Sequence, residues 1–145
     1  MRIIFKDFKG ETKMKNLKAF LNPARKENLK FVLSEAFRDE SGAPVEWELR
    51  QLSSMESCEL QKQYEGRSQS DILLTVIACS LVYPNLRDAE LLRELSQREG
   101  RTILEPAEAL KALTTDAELT RLIVMYQRHN ALDASLAELA ANAKN

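Results

Sequence analysis

The sequence predicts an α+β fold that is predominantly helical, with a small N-terminal β-hairpin packed on a bundle of about five to six helices. Three observations predict it. Apolar residues alternate with polar ones between Leu29 and Leu49, and from Ser53 onward capping residues, apolar stripes at helical spacing and stop signals recur. The composition, 44% hydrophobic and 30% charged over 145 residues, is that of a globular chain able to bury one core.

Residues 1–15 mix Lys, Glu and Gly around few apolar positions and are expected to form a leader, with Met14 a plausible natural start. One domain is expected over 16–145. Asn16 to Leu21 reads as a short helix with Leu17, Phe20 and Leu21 on one face, closed by Asn22 and Pro23. The hairpin occupies about 29–52. Leu29, Phe31 and Leu33, with Phe37 beyond, fall on one side of an extended chain, and Val45, Trp47 and Leu49 alternate with Glu46, Glu48 and Arg50. Between them, Arg38 to Pro44 supplies acidic, glycine and proline turn chemistry. A lone hairpin is marginal in water, so its apolar face must pack on helices.

Those helices fill about 53–143. Ser53 or Ser54 caps the first, which runs to about Glu65 and stops at Gly66. Ser68 with Asp71 resembles a capping box opening a helix through Ile72, Leu73, Val76, Ile77, Leu81 and Val82 to the stop at Pro84. Apolar over most of its circumference, it should be the most buried helix; a strand is the competing reading for so β-branched a run. Asn85 with Asp88 begins a helix carrying Ala89, Leu91, Leu92 and Leu95 that ends near Gly100. Pro106 starts a short one holding Leu110 and Leu113. Thr115 with Glu118 is a capping box, followed by Leu119, Leu122, Ile123 and Tyr126 at i, i+3, i+4, i+7. Asp133 to Asn145 could form a last amphipathic helix on Leu132, Leu136 and Leu139. Its alanine-rich body offers little area to set against an ordering cost of ~1–2 kcal/mol per residue.

Composition and motifs argue against chemistry. Cys58 and Cys79 lack CxxC spacing and read as reduced, buried thiols; with His129 and a carboxylate they have no zinc spacing either. His129 is the one histidine, placed where a cation favours a helix C-terminus. None of the four glycines belongs to a phosphate-binding loop, and the carboxylates recur beside Lys and Arg on solvated faces. No cofactor or metal is expected. The longest apolar run, Ile72 to Tyr83, is shorter than the ~18–20 residues of a membrane span, and charge interrupts Met1 to Asp7 too soon for a signal peptide, so a cytoplasmic address is expected. Net charge is −1, yet residues 1–30 carry nine Lys/Arg against three Asp/Glu and the remainder twelve against nineteen, halves of about +6 and −7. A solvated leader is the plain reading and a basic arm for an acidic partner the other. A helix-turn-helix over Asp71 to Gly100 would put a charge-balanced helix, without a basic stripe, into a negative groove, so no nucleic-acid partner is expected.

Four segments, in order, resemble the XkdN-like tail assembly chaperones of phages and defective contractile-tail prophages: Asn16 to Leu21, Phe37 to Arg50, Val82 to Leu91, and Ser135 to Asn145. The resemblance covers roughly 16–145. It departs at Asn130-Ala131-Leu132, where the family commonly has a glycine and an aromatic, and residues 1–13 have no counterpart in it. The resemblance implies a non-enzymatic protein of the bacterial host cytoplasm. Such a protein holds the long, helical tape measure protein soluble, helps recruit tail tube subunits and is absent from the mature virion. Many such genes also yield a longer, frameshifted product. For contact with a partner the sequence offers the hairpin, with Trp47, and the apolar stripe Leu132, Leu136 and Leu139, which also allows self-association. The other readings are a structural tail or baseplate component, which mass spectrometry of purified particles would reveal, and a small DNA-binding regulator, which would shift duplex DNA in a salt-dependent way.

Overall fold

The computed structural model describes residues 17–131. Among them an antiparallel sheet of three strands, in the order β1-β2-β3, packs against a helical body. The fold is α+β and mostly helical, as the sequence predicts.

β1 (Leu29–Val32) and β2 (Glu46–Leu49) form the hairpin, with Leu29 opposite Leu49 and Phe31 opposite Trp47. Period-two alternation sends Phe31, Leu33, Trp47 and Leu49 into the core and leaves Lys30 and Glu46 exposed. The connecting loop is built around one carboxylate. Asp39 Oδ1 accepts from the Ser41 and Ala43 backbone N–H groups at 2.9 and 3.0 Å and from the Ser41 hydroxyl at 2.6 Å. Gly42, at φ +85°, takes the left-handed turn that lets the Asp39 N–H reach Ala43 O at 2.9 Å. The Ser41 hydroxyl and then the Ala43 amide hold the Asp39 carboxyl below its ordinary pKa. Asp39→Ala is accordingly expected to speed amide hydrogen exchange at Ser41 and Ala43 while core amides keep their protection. Unchanged exchange at the loop would show that the carboxylate is not what orders it.

α1 (Ser54–Gln63) starts at Ser53, whose hydroxyl accepts from Glu56 N while Glu56 returns a bond to Ser53 N. α2 (Gln69–Ser80) is capped by Ser68 and contributes Leu74, Val76, Ile77 and Ala78 to the core, the buried central helix that its composition predicts. It ends earlier than expected. Leu81 turns extended, and Leu81–Tyr83 becomes β3, paired with β2 through Glu48 with Tyr83 and Leu49 with Leu81. The hairpin is therefore two strands of a three-stranded sheet, and Leu81 and Val82 belong to its edge. Two physical reasons stand behind this. Proline 84 disfavours helical geometry at Tyr83, and the open side of β2 offers ladder bonds, continued by Arg50 N to Ser80 O at 2.9 Å.

α3 (Ala89–Glu99) begins at Asp88, which caps Leu91 N at 3.0 Å, and ends at Gly100 in the left-handed conformation. Asn85 does not open this helix. Its side chain accepts from Arg87 N at 3.0 Å in a local turn that buries Leu86. α4 (Pro106–Leu113) has Pro106 at its first turn, and α5 (Asp116–Asn130) carries the full Thr115/Glu118 capping box. α2 packs on α1 and α4, and α4 on α3. The largest fully buried apolar side chains are Trp47, Leu49, Ile77, Leu86, Ile103, Leu110 and Leu122, so sheet and helices share one core. The expected leader and the Asp133 to Asn145 segment lie outside the described residues.

Candidate functional site: a basic-rimmed apolar groove

Two faces of α5 have different work. Leu119, Leu122, Ile123 and Tyr126 face the core, whereas Arg121, Val124, Met125 and Arg128, again at i, i+3, i+4, i+7, line an open groove of about 530 Å³, with Met125 also packing against the core at its edge. Lys26 and Leu29, entering β1, form its other wall. The floor is aliphatic, with Val124 39% exposed. Among the described residues, the charged ones of the lining, Lys26, Arg121 and Arg128, are cationic. Such a surface suits an apolar stripe flanked by carboxylates.

Lys26 closes one end of the groove. Its Nζ donates to Ala131 O at 2.8 Å and His129 O at 3.4 Å, and Gln51 Nε2 also reaches His129 O at 3.3 Å. These bonds satisfy carbonyls that a helix C-terminus leaves without intrahelical partners. The cation expected at this helix end is therefore Lys26 and not His129. The imidazole is buried, and burial together with Lys26 lowers its pKa below the ordinary value, favouring the neutral ring. Among the described residues its Nε2 meets no hydrogen-bond partner.

The residues singled out in the sequence are distributed differently. Trp47 is 1% exposed and meets Phe37 edge to face at 5.3 Å, so its indole packs the core and presents no contact surface. Leu132, Leu136 and Leu139 lie outside the described residues. Cys58 is exposed and Cys79 partly so, which corrects the expectation of buried thiols; Cys79 Sγ accepts from Arg87 at 3.2 Å. Among the described residues no group of three or more His, Cys, Asp or Glu gathers as a metal site would require. Other apolar side chains stand in solvent, chiefly Leu17, Phe20 and Leu21 in the helical turn at 17–21. The groove was not expected. Its second stripe on α5 is visible in sequence, but its partner wall comes from Lys26, 103 positions before His129.

One ion pair fixes the joint between sheet and helices. Arg50 donates to both carboxylate oxygens of Glu56, at 3.2 and 2.9 Å, and Glu56 also closes the α1 capping box. The Arg50 guanidinium, then the Ser53 amide, lower the Glu56 pKa to about 2. A folded pKa below the unfolded value contributes stability that is present above the unfolded value, ordinarily about 4.3, and lost as pH falls toward the folded one. Glu56→Gln should thus narrow the stability gap between wild type and variant as pH drops from neutral through that window. A gap that stays constant in denaturant titrations would contradict the pairing.

The family model for the phage XkdN-like tail assembly chaperone proteins matches residues 17–144. The chain belongs to that family. A crystal structure of the protein YqbN resembles this tail assembly chaperone with a TM-score of 0.61 at 22% identity, covering 79% of this chain and 96% of that one. That likeness shows a shared fold. Among curated proteins, none matches this chain. No helix among the described residues of the chaperone is long and apolar enough to cross a membrane.

Proposed function

We propose that this chaperone binds the tape measure protein, covers its apolar helical stripes before the tail tube encloses them, and helps recruit tube subunits, with no chemistry of its own. It works in the cytoplasm of the bacterial host and leaves before the virion is complete. The observation that carries the reading is the family match over residues 17–144. The groove supports it, because an aliphatic floor with a rim of Lys26, Arg121 and Arg128 complements an amphipathic helix whose stripe is bordered by acids. Once the tape measure helix occupies the groove, Leu132, Leu136 and Leu139 would add apolar surface beside it.

Co-expression with the tape measure protein of the same phage or prophage tests the proposal. The expected result is a soluble complex that co-purifies, and Val124→Glu with Arg121→Glu, both at exposed positions, should lose the complex while keeping the helical circular dichroism of the wild type. A tape measure protein that stays insoluble with or without the chaperone would overturn it. So would detection of the chain in purified particles at the abundance of a structural protein.

A further inference from the structure

The groove on α5 is open in the described structure, and three observations name an occupant. First, the end of the described chain sits on its rim: Lys26, a wall residue, holds Ala131 O at 2.8 Å, and Ala131 has left helical geometry at φ −68°, ψ 136°. The described chain therefore ends at the groove itself. Second, the sequence that follows matches the lining in character. Leu132, Leu136 and Leu139 recur at i, i+4, i+7, accompanied by Asp133 and Glu138 against a single Lys144, whereas the charged lining is cationic. Third, among the described residues the apolar turn at 17–21 does not fill the groove, since Phe20 and Leu21 are 80% and 74% exposed.

We infer that residues 132–145 are the groove's own cover in the free protein: the leucine stripe lies on Leu29, Val124 and Met125, with Asp133 and Glu138 turned toward the Arg128 and Arg121 rim. Covalent attachment at the rim favours this contact, because a short tether gives an effective concentration of about millimolar, so even weak packing and screened charge pairs suffice. An antiparallel return along α5 after a short turn is a common connection between helices. The contact does not depend on the tape measure reading, and its test uses no partner.

The test uses the full chain with Cys58→Ser and Cys79→Ser, a nitroxide attached at Ala137→Cys, and methyl signals observed by NMR. The Val124 and Met125 methyls are expected to lose most of their intensity, and to regain it when Leu132, Leu136 and Leu139 are all changed to Ser. Unattenuated methyl signals would overturn the inference. Attenuation seen only when labelled chains relax separate, isotope-bearing chains would overturn it too, by making the occupant a second copy. An apolar dye gives an independent readout of opposite sign for the two cases. If the stripe covers the groove, the triple serine variant exposes Leu29, Val124 and Met125 and its dye fluorescence rises. If the stripe stands in solvent, removing three leucines makes the fluorescence fall, and the inference fails.

Discussion

Trp47→Ala should destabilise the protein by ~3–5 kcal/mol, the cost of deleting a large aromatic from a packed interior. The side chain is 1% exposed and belongs to the same buried cluster as Leu49, Ile77, Leu110 and Leu122, so its removal empties the contact between the sheet and the helical body. The edge-to-face contact with Phe37, at 5.3 Å, adds roughly 0.5–1.5 kcal/mol beyond burial. Set against a total stability of about 5–15 kcal/mol for a domain, a loss of that size is a large share of the whole. Urea titration should show a lower midpoint with an unchanged slope, and Trp47→Phe should recover part of the loss. A variant that kept wild-type stability yet failed to bind the tape measure protein would return Trp47 to the surface.

Ile103→Ala should cost about 2–5 kcal/mol, although nothing in the sequence marks the position. Ile103 lies between α3 and α4, outside any helix or strand, and is 1% exposed. The chain is pinned there by a hydroxyl: Ser96 Oγ accepts from Ile103 N at 2.8 Å while donating to Leu92 O at 2.7 Å. The side chain thus seals the corner where α3 turns into α4. Thermal melting should reveal the loss, and Leu104→Ala next to it, at a position 72% exposed, should leave the midpoint almost unmoved. Equal effects from the two substitutions would refute this assignment of the interior.

What was legible in the sequence follows the range of the force involved. Capping is local, so a serine at 53 or 54, Thr115 with Glu118, Pro106 and Gly100 mark helix ends that the structure keeps. The hairpin alternation is local too, and it places Phe31, Leu33, Trp47 and Leu49 on the buried face. β3 was out of reach because three apolar residues satisfy a helix or a strand equally, and only the vacant side of β2 decides between them. Asn85 misled for a related reason, since one side chain suits a helix cap and a local turn alike. Cys58 misled because thiols are usually buried, whereas this helix has no buried residue at all. The groove was half legible: its α5 stripe is periodic, but only tertiary contact brings Lys26 and Leu29 against it.

The bond from Lys26 to Ala131 brings the first and last parts of the described fold to one corner. Polypeptide attached after Ala131 therefore begins beside the residues that lead into β1. A longer product sharing residues up to Ala131 would keep every packed contact described above and differ only in what it hangs beside α5. Extension at that corner can therefore change what the molecule grips without re-engineering its interior.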